Sequence, residues 1–293
     1  MRVLAELQKP PVLTAIMACA VGLSITPASI RAADVEFRVA SHNIYVANAD
    51  LAATADALRD TGADIICLQE TTPSSEQFLR LHLDKYYPHI RFQVGRIGNG
   101  PALLSKFPIR LWQYHPSTAG INGTGYAIVD VRGRLVQVVN VHLNPVAWRR
   151  GGLAAVGQSL RETEDIHTRE IADIFANVNP SSPTLIMGDF NSLPDSVAPR
   201  FLKDHGFIDS LGMVERVPDA FKTLHFRWRG TEFGVRIDYI FHTAHLATRE
   251  SRVIRKGGSD HSIVTSLVRL AENPVTNKPN PNPRPVSRDR SKQ

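Results

Sequence analysis

Thr184-Leu185-Ile186-Met187 runs straight into Gly188-Asp189-Phe190-Asn191. A short apolar run closed by a glycine, a carboxylate and an amide reads as a buried strand that ends on a polar rim. Downstream the order is mirrored, because Gly258-Ser259-Asp260-His261 precedes Ile263-Val264. Acids, amides and imidazoles at strand ends can converge on one rim of a sheet. Such a rim can hold a divalent metal and a phosphate beside a base.

The pattern recurs along the chain. Phe37-Arg38-Val39-Ala40 leads into Ser41-His42-Asn43, and Asp64-Ile65-Ile66-Cys67-Leu68 into Gln69-Glu70. Leu135-Val136-Gln137-Val138-Val139 leads into Asn140-Val141-His142-Leu143-Asn144, and Arg236-Ile237-Asp238 opens the run Tyr239-Ile240-Phe241. At these residues, from about Phe37 to Arg269, the chain resembles the endonuclease/exonuclease/phosphatase family of metal-dependent phosphoesterases. Gly188-Asp189-Phe190-Asn191, Arg236-Ile237-Asp238-Tyr239-Ile240 and Ser259-Asp260-His261 are the most specific pieces. Leu68-Gln69-Glu70, Ser105-Lys106-Phe107-Pro108 and Asn140-Val141-His142-Leu143 follow in the expected order.

Helical spacing predicts helices over Asp50–Arg59, with Gly62 as a stop, and over Ser74–Leu83, with Ser74 able to cap. The longest is predicted over Arg161–Val178 and a short one over Ser196–Leu202. Strand-type runs cover 102–105, 126–131, 135–141, 185–187, 235–241 and 263–270, with Arg132-Gly133-Arg134 as a hairpin turn. Pro145–Leu160, rich in glycine, reads as loose. Strand runs packed under helices indicate a layered α+β sandwich. The resemblance sharpens this to a four-layer α/β/β/α sandwich, two packed and mainly antiparallel sheets flanked by helices.

The chain has 293 residues and a formal net charge of +6, which suits a polyanionic partner. Arg2 and Lys9, an apolar stretch from Pro11 to about Ile25 and small residues near Ala28 and Ala32 have the layout of a secretory signal over residues 1–32. The expected protein is therefore secreted or periplasmic, without a membrane span after cleavage. It is expected to be a monomer. One domain is expected over 34–271, followed by a disordered basic tail over 272–293 rich in Pro and Asn. Beyond the signal only Cys67 remains, so an intramolecular disulfide and a cysteine metal site are excluded; Cys67 reads as a buried small hydrophobe.

Phosphodiester hydrolysis needs an activated water, neutralisation of developing charge and help for the leaving oxygen. His261 titrates near neutrality and is the candidate base, with Asp238 as its orienting carboxylate. Glu70 is the candidate ligand of a hard cation, Mg2+ or Mn2+. The resemblance adds Asn43 and Asp260 to the metal site and allows one or two ions. Asp189 and Asn191 should lie near the scissile phosphate, the Asn191 amide donating to a phosphoryl oxygen. His142 should face it too, and its presence aligns the chain with the branch that spans deoxyribonuclease-, sphingomyelinase- and inositol-phosphatase-like enzymes. Trp148, Arg149 and Arg150 offer stacking and phosphate pairing. His42, His167 and His225 read as structural, Asn140 as structural or supporting, and Ser105–Pro108 as architectural.

These readings point to a secreted metal-dependent phosphoesterase, with nucleic acid as the first substrate and a lipid headgroup or small phosphate ester as the rival. A non-catalytic binding module on the same fold would have lost Glu70, Asp189, Asn191, Asp238 or His261, and none is lost.

Overall fold

The computed structural model describes residues 35–93, 100–147, 152–214 and 221–270. The signal and tail readings, and Trp148, Arg149 and Arg150, lie outside the described residues. No helix among the described residues is long and apolar enough to cross a membrane.

The strands and helices follow in order as β1 (Val35–Asn43), α1 (Leu51–Asp60), β2 (Ile65–Thr71), α2 (Pro73–Leu83), β3 (His89–Phe92), β4 (Gly100–Ser105), β5 (Ile109–His115), β6 (Thr124–Val131) and β7 (Arg134–His142). Then come α3 (Gly152–Ala176), β8 (Thr184–Asp189), α4 (Val197–Asp204), β9 (Ile208–Asp209) and α5 (Ser210–Val214). The hairpin β10 (Leu224–Trp228) and β11 (Thr231–Val235) precedes β12 (Asp238–His242), β13 (Leu246–Ile254) and β14 (Ile263–Leu270). Two six-stranded sheets form, ordered β13-β14-β1-β2-β4-β3 and β5-β6-β7-β8-β12-β9. Each holds one parallel pair at its centre, β1 with β2 and β7 with β8, and is otherwise antiparallel.

Strand alternation separates the layers. Val35, Phe37, Val39, Ile65 and Cys67 of one sheet pack on Val136, Val138, Leu185, Met187 and Ile240 of the other. The intervening residues face outward. Ala40, Ile66 and Leu68 pack under α1 and α2, while Val139, Val141, Ile186 and Phe241 pack under α3 and α4. The result is the expected helix–sheet–sheet–helix sandwich. Cys67 is fully buried, and burial pushes its thiol well above the usual range.

The helix starts follow their caps. Asp50 accepts from the Ala53 N–H at 2.8 Å and so opens α1. The α2 cap is Thr72, not Ser74: Thr72 and Ser75 exchange bonds in a capping box and Pro73 takes the first turn. Helix α3 begins at Gly152, so the second half of the segment read as loose is helical. The run 235–241 is not one strand. It breaks at Arg236-Ile237, where the Thr223 hydroxyl takes the N–H groups of Ile237 and Asp238, both at 3.0 Å.

Candidate active site

On each central strand the inward-facing row begins apolar and ends polar. Val39 and Ser41 lead to Asn43, Ile65 and Cys67 to Gln69, Val138 and Asn140 to His142, and Leu185 and Met187 to Asp189. The register aligns two of these ends with the start of β12. His142 pairs with Asp189 across β7–β8, and Asp189 with Asp238 across β8–β12. A polar bolt joins the sheets just below the rim. Gln69 donates to the Asn140 side chain at 2.7 Å, and Asn140 donates to the carbonyls of Leu68 and Ala102 at 2.9 and 2.8 Å. Those carbonyls lie beside a register shift in β2 between Leu68 and Thr71. Inside that irregularity Glu70 adopts φ 58°.

Asp189 is the hub. One carboxylate oxygen accepts from the Asn191 N–H at 2.8 Å, the other from the Asn43 amide at 3.0 Å. The same Asn43 nitrogen donates to Glu70 at 2.9 Å, and the second Glu70 oxygen accepts from the Val46 N–H at 2.7 Å. The Nε2 atoms of His142 and His261 both lie 3.7 Å from Asp189 Oδ2, and His142 Nε2 lies 3.9 Å from Glu70. His261 Nδ1 sits 2.9 Å from the nearer oxygen of Asp238, which is fully buried. With Nδ1–H donated to Asp238, Nε2 faces the site, and it offers a lone pair only when the ring is neutral.

Burial alone disfavours a charged His261, but the charges of Asp238 and Asp189 and the hydrogen bond to Asp238 outweigh it and raise the ring to about 10. Burial raises Asp238, with the His261 charge opposing. A raised imidazole binds its proton more tightly in the folded chain than in the unfolded one. Its contribution to stability is therefore whole below about 6.5 and lost as pH rises through about 10. Asp238→Asn should bring the His261 titration, followed by NMR of the ring in cation-free protein, down toward the ordinary imidazole range. A titration unmoved by that change would mean that Asp238 does not hold the ring charged.

Glu70 and Asp189 converge on one amide, and no Lys or Arg pairs with either among the described residues. Carboxylates beside an amide, with no Lys or Arg partner among the described residues, suit a hard divalent cation. Donor atoms of Asp189, Asp238 and His261 also lie within 4.8 Å of one another, a spacing that can hold a metal ion. A cation there would compete with the His261–Asp238 hydrogen bond, so the Glu70–Asn43–Asp189 side fits better.

The structure thus brings together Asn43, Glu70, His142, Asp189, Asn191, Asp238 and His261. Asp260 stands apart: it is exposed, its carboxylate accepts from Ser259 at 3.4 Å, and no contact joins it to Glu70. Asn191, at φ 46°, donates one amide N–H to the Leu143 carbonyl at 2.9 Å, which leaves its second for a ligand. His167 is held by the Asn144 carbonyl at 2.7 Å and the Ser192 hydroxyl at 2.8 Å, and His225 sits beside Ser262 and the Lys222 carbonyl, both at 3.1 Å. His42 is fully buried in the layer beneath α1, and burial followed by the charge of His261 lowers it to about 3. Lys106 pairs with Asp64 at 3.0 Å and Phe107 packs edge-on against Phe37, so that motif serves the architecture. Sequence reasoning missed Thr223, which carries no motif, and Ser259, whose hydroxyl donates to the Asn43 carbonyl at 2.7 Å and accepts the His261 N–H at 3.0 Å.

Residues 40–261 match the endonuclease/exonuclease/phosphatase family. The chain belongs to that family. Its members are hydrolytic phosphoesterases, and the chain is an enzyme of that class. Among solved structures, a family member from Beutenbergia cavernae is similar over 80% of this chain and 72% of its own, at 20% identity and TM-score 0.65. TDP2 from D. rerio, complexed with a single-strand DNA product, is similar over 80% of this chain and 99% of its own, at 16% identity and TM-score 0.64. Truncated Caenorhabditis elegans TDP2 covers 80% and 98% at 18% identity and TM-score 0.62. At these identities the likeness is one of fold. No curated protein is a sequence match for the chain.

Proposed function

We propose that the chain is an exported, divalent-cation-dependent phosphodiesterase acting on nucleic acid. The observation that carries the chemistry is the His261 imidazole, fixed at Nδ1 by buried Asp238 and turned with Nε2 toward Asp189. In this reading a cation beside Asp189 would offset the carboxylate charge that holds the ring protonated, so that the neutral His261 Nε2 takes a proton from water, the water oxygen bonds to phosphorus, and the ester P–O bond breaks. Asp189 orients the water. His142, on the other side of the same carboxylate oxygen, holds a non-bridging oxygen or supplies the proton to the leaving oxygen. A divalent cation held by Glu70 with Asn43 and Asp189 would offset the charge that develops on the phosphoryl oxygens.

The nucleic-acid assignment is supported by the net charge of +6 and by the DNA product bound to the D. rerio neighbour. Export is supported by the N-terminal layout of Arg2, Lys9 and the apolar run to Ile25. An unprocessed N-terminus on protein recovered from the producing cells' cytosol would refute it. A second reading, hydrolysis of a small phosphate ester or lipid headgroup, is favoured by a cavity of about 230 Å3 against His142, lined also by Ser117, Thr118, Asn122, Tyr126 and Glu170.

The purified protein is expected to cut plasmid or single-stranded DNA with magnesium and not with chelator. Both DNAs left intact, with phosphate or headgroup released from a panel of phosphoesters, would move the substrate to the second reading. Glu70→Gln should raise the cation concentration needed for half-maximal activity by roughly tenfold or more. Activity indifferent to chelator would refute the cation site.

A further inference from the structure

The β10–β11 hairpin belongs to neither main sheet, yet its root is tied to the candidate catalytic pair. Leu224 bridges His261, the His225 N–H donates to the Asp260 carbonyl at 2.9 Å, and the Ser262 N–H donates to the Thr223 carbonyl at 2.6 Å. Thr223 in turn holds the start of β12 at Asp238. Beyond this root, Phe226 and Phe233 form a cross-strand pair. Their rings stack at 5.8 Å with planes 19° apart, and they are 46% and 41% exposed. Cross-strand stacking shields part of each ring, and among the described residues the ribbon pairs with no further strand.

The surrounding charge is positive. Arg227 and Arg229 are exposed on the hairpin, and Arg255 pairs with Glu232 of it at 2.5 Å. Trp228 pairs with Thr231 directly before the Arg229-Gly230 turn, and the phenylalanine rings sit midway along the ribbon. Rings halfway up a cationic arm, rooted at the residues that face the phosphate, suit a flat aromatic ligand attached to a polyanion.

We propose that this hairpin is a base-binding arm: an unpaired nucleobase of a single-stranded substrate stacks on the Phe226–Phe233 pair while its neighbouring phosphate lies at His261. The proposal rests on the phosphodiester reading above and names the substrate class of that site. Bases paired inside a duplex do not offer a free face, so the arm favours single strands or frayed ends.

The test measures binding and not turnover. In the full chain carrying His261→Ala, fluorescence anisotropy would compare a labelled oligothymidylate of about twelve nucleotides with a base-free oligomer of equal length. The base-bearing strand is expected to bind roughly tenfold more tightly. Adding Phe226→Ala and Phe233→Ala should abolish that preference, and Phe226→Trp with Phe233→Trp should retain it. Equal affinities in the parent, or an undiminished preference in the alanine pair, would overturn the arm and leave the nuclease reading standing. Failure to bind either strand would sink the nucleic-acid reading and the arm with it. If the alanine pair instead loses binding to phosphatidylglycerol vesicles while oligonucleotide binding is unchanged, the arm is a lipid contact and the proposal is wrong.

Discussion

His261→Ala should lower turnover by about 10^3-fold, within the range that a positioned general base contributes. The ring is the group whose Nε2 can reach a water beside Asp189 while its other nitrogen is locked, because Asp238 Oδ2 lies 2.9 Å from Nδ1. The loss should fall on kcat more than on KM, since Glu70, Asn43 and Asp189 still hold each other without it. Folding should survive. The His261 N–H still donates to Ser259, and the Ser262 N–H to Thr223. Asp238, stripped of its partner, can take up a proton in the buried site, at a stability cost of about 1–3 kcal/mol. Free imidazole should restore part of the rate by filling the vacated space. Unchanged turnover in the variant would remove His261 from the mechanism.

Gly188→Ala should be the most damaging single methyl in the described fold. A Cβ on Gly188 would stand 1.9 Å from the Val141 carbonyl oxygen, inside the parallel pairing of β7 with β8, and the residue holds φ 150°. Neither the oxygen nor the strand can swing aside, because Val141 and Met187 are both fully buried. Overpacking together with an unfavourable backbone conformation should cost on the order of 4 kcal/mol. Thermal unfolding would read this directly. Activity should fall further than stability explains, because Asp189 follows Gly188 and moves with it. A variant of native melting temperature would mean that β7 and β8 are not packed this closely.

The strand-end motifs carried most of the candidate site, since alternation along a strand is visible in sequence. The row Leu185, Met187, Asp189 is one example, and its cross-strand neighbour Asp238 is another. Less visible was anything fixed by pairing between distant segments. Thr223 lies on a polar stretch without periodicity, and its role appears only when β10 meets His261. The exposed hairpin carries a weak apolar signal, and β13 alternates too loosely to stand out beside charged Arg249, Glu250 and Arg252. Asp260 shows the converse. It sits inside the most specific motif, yet the turn that delivers His261 inward points its neighbour outward. Asn191 was expected to reach phosphate with its amide, and one of its two hydrogens is already given to Leu143.

Strand β14 lies against β1, with Val35 opposite Leu270 and Ser41 opposite Val264, so the earliest described strand finds its partner in the latest. Contacts so distant along the chain form slowly, because the intervening segments must be ordered before they close. During synthesis the nascent polypeptide emerges from its N-terminal side, and His261 comes out only just ahead of β14. Asn43, Glu70, His142 and Asp189 can therefore be assembled while the proton acceptor is still missing. A hydrolase of phosphodiesters made inside a cell full of them would stay silent on the ribosome, and its chemistry would begin only when the last strand has docked.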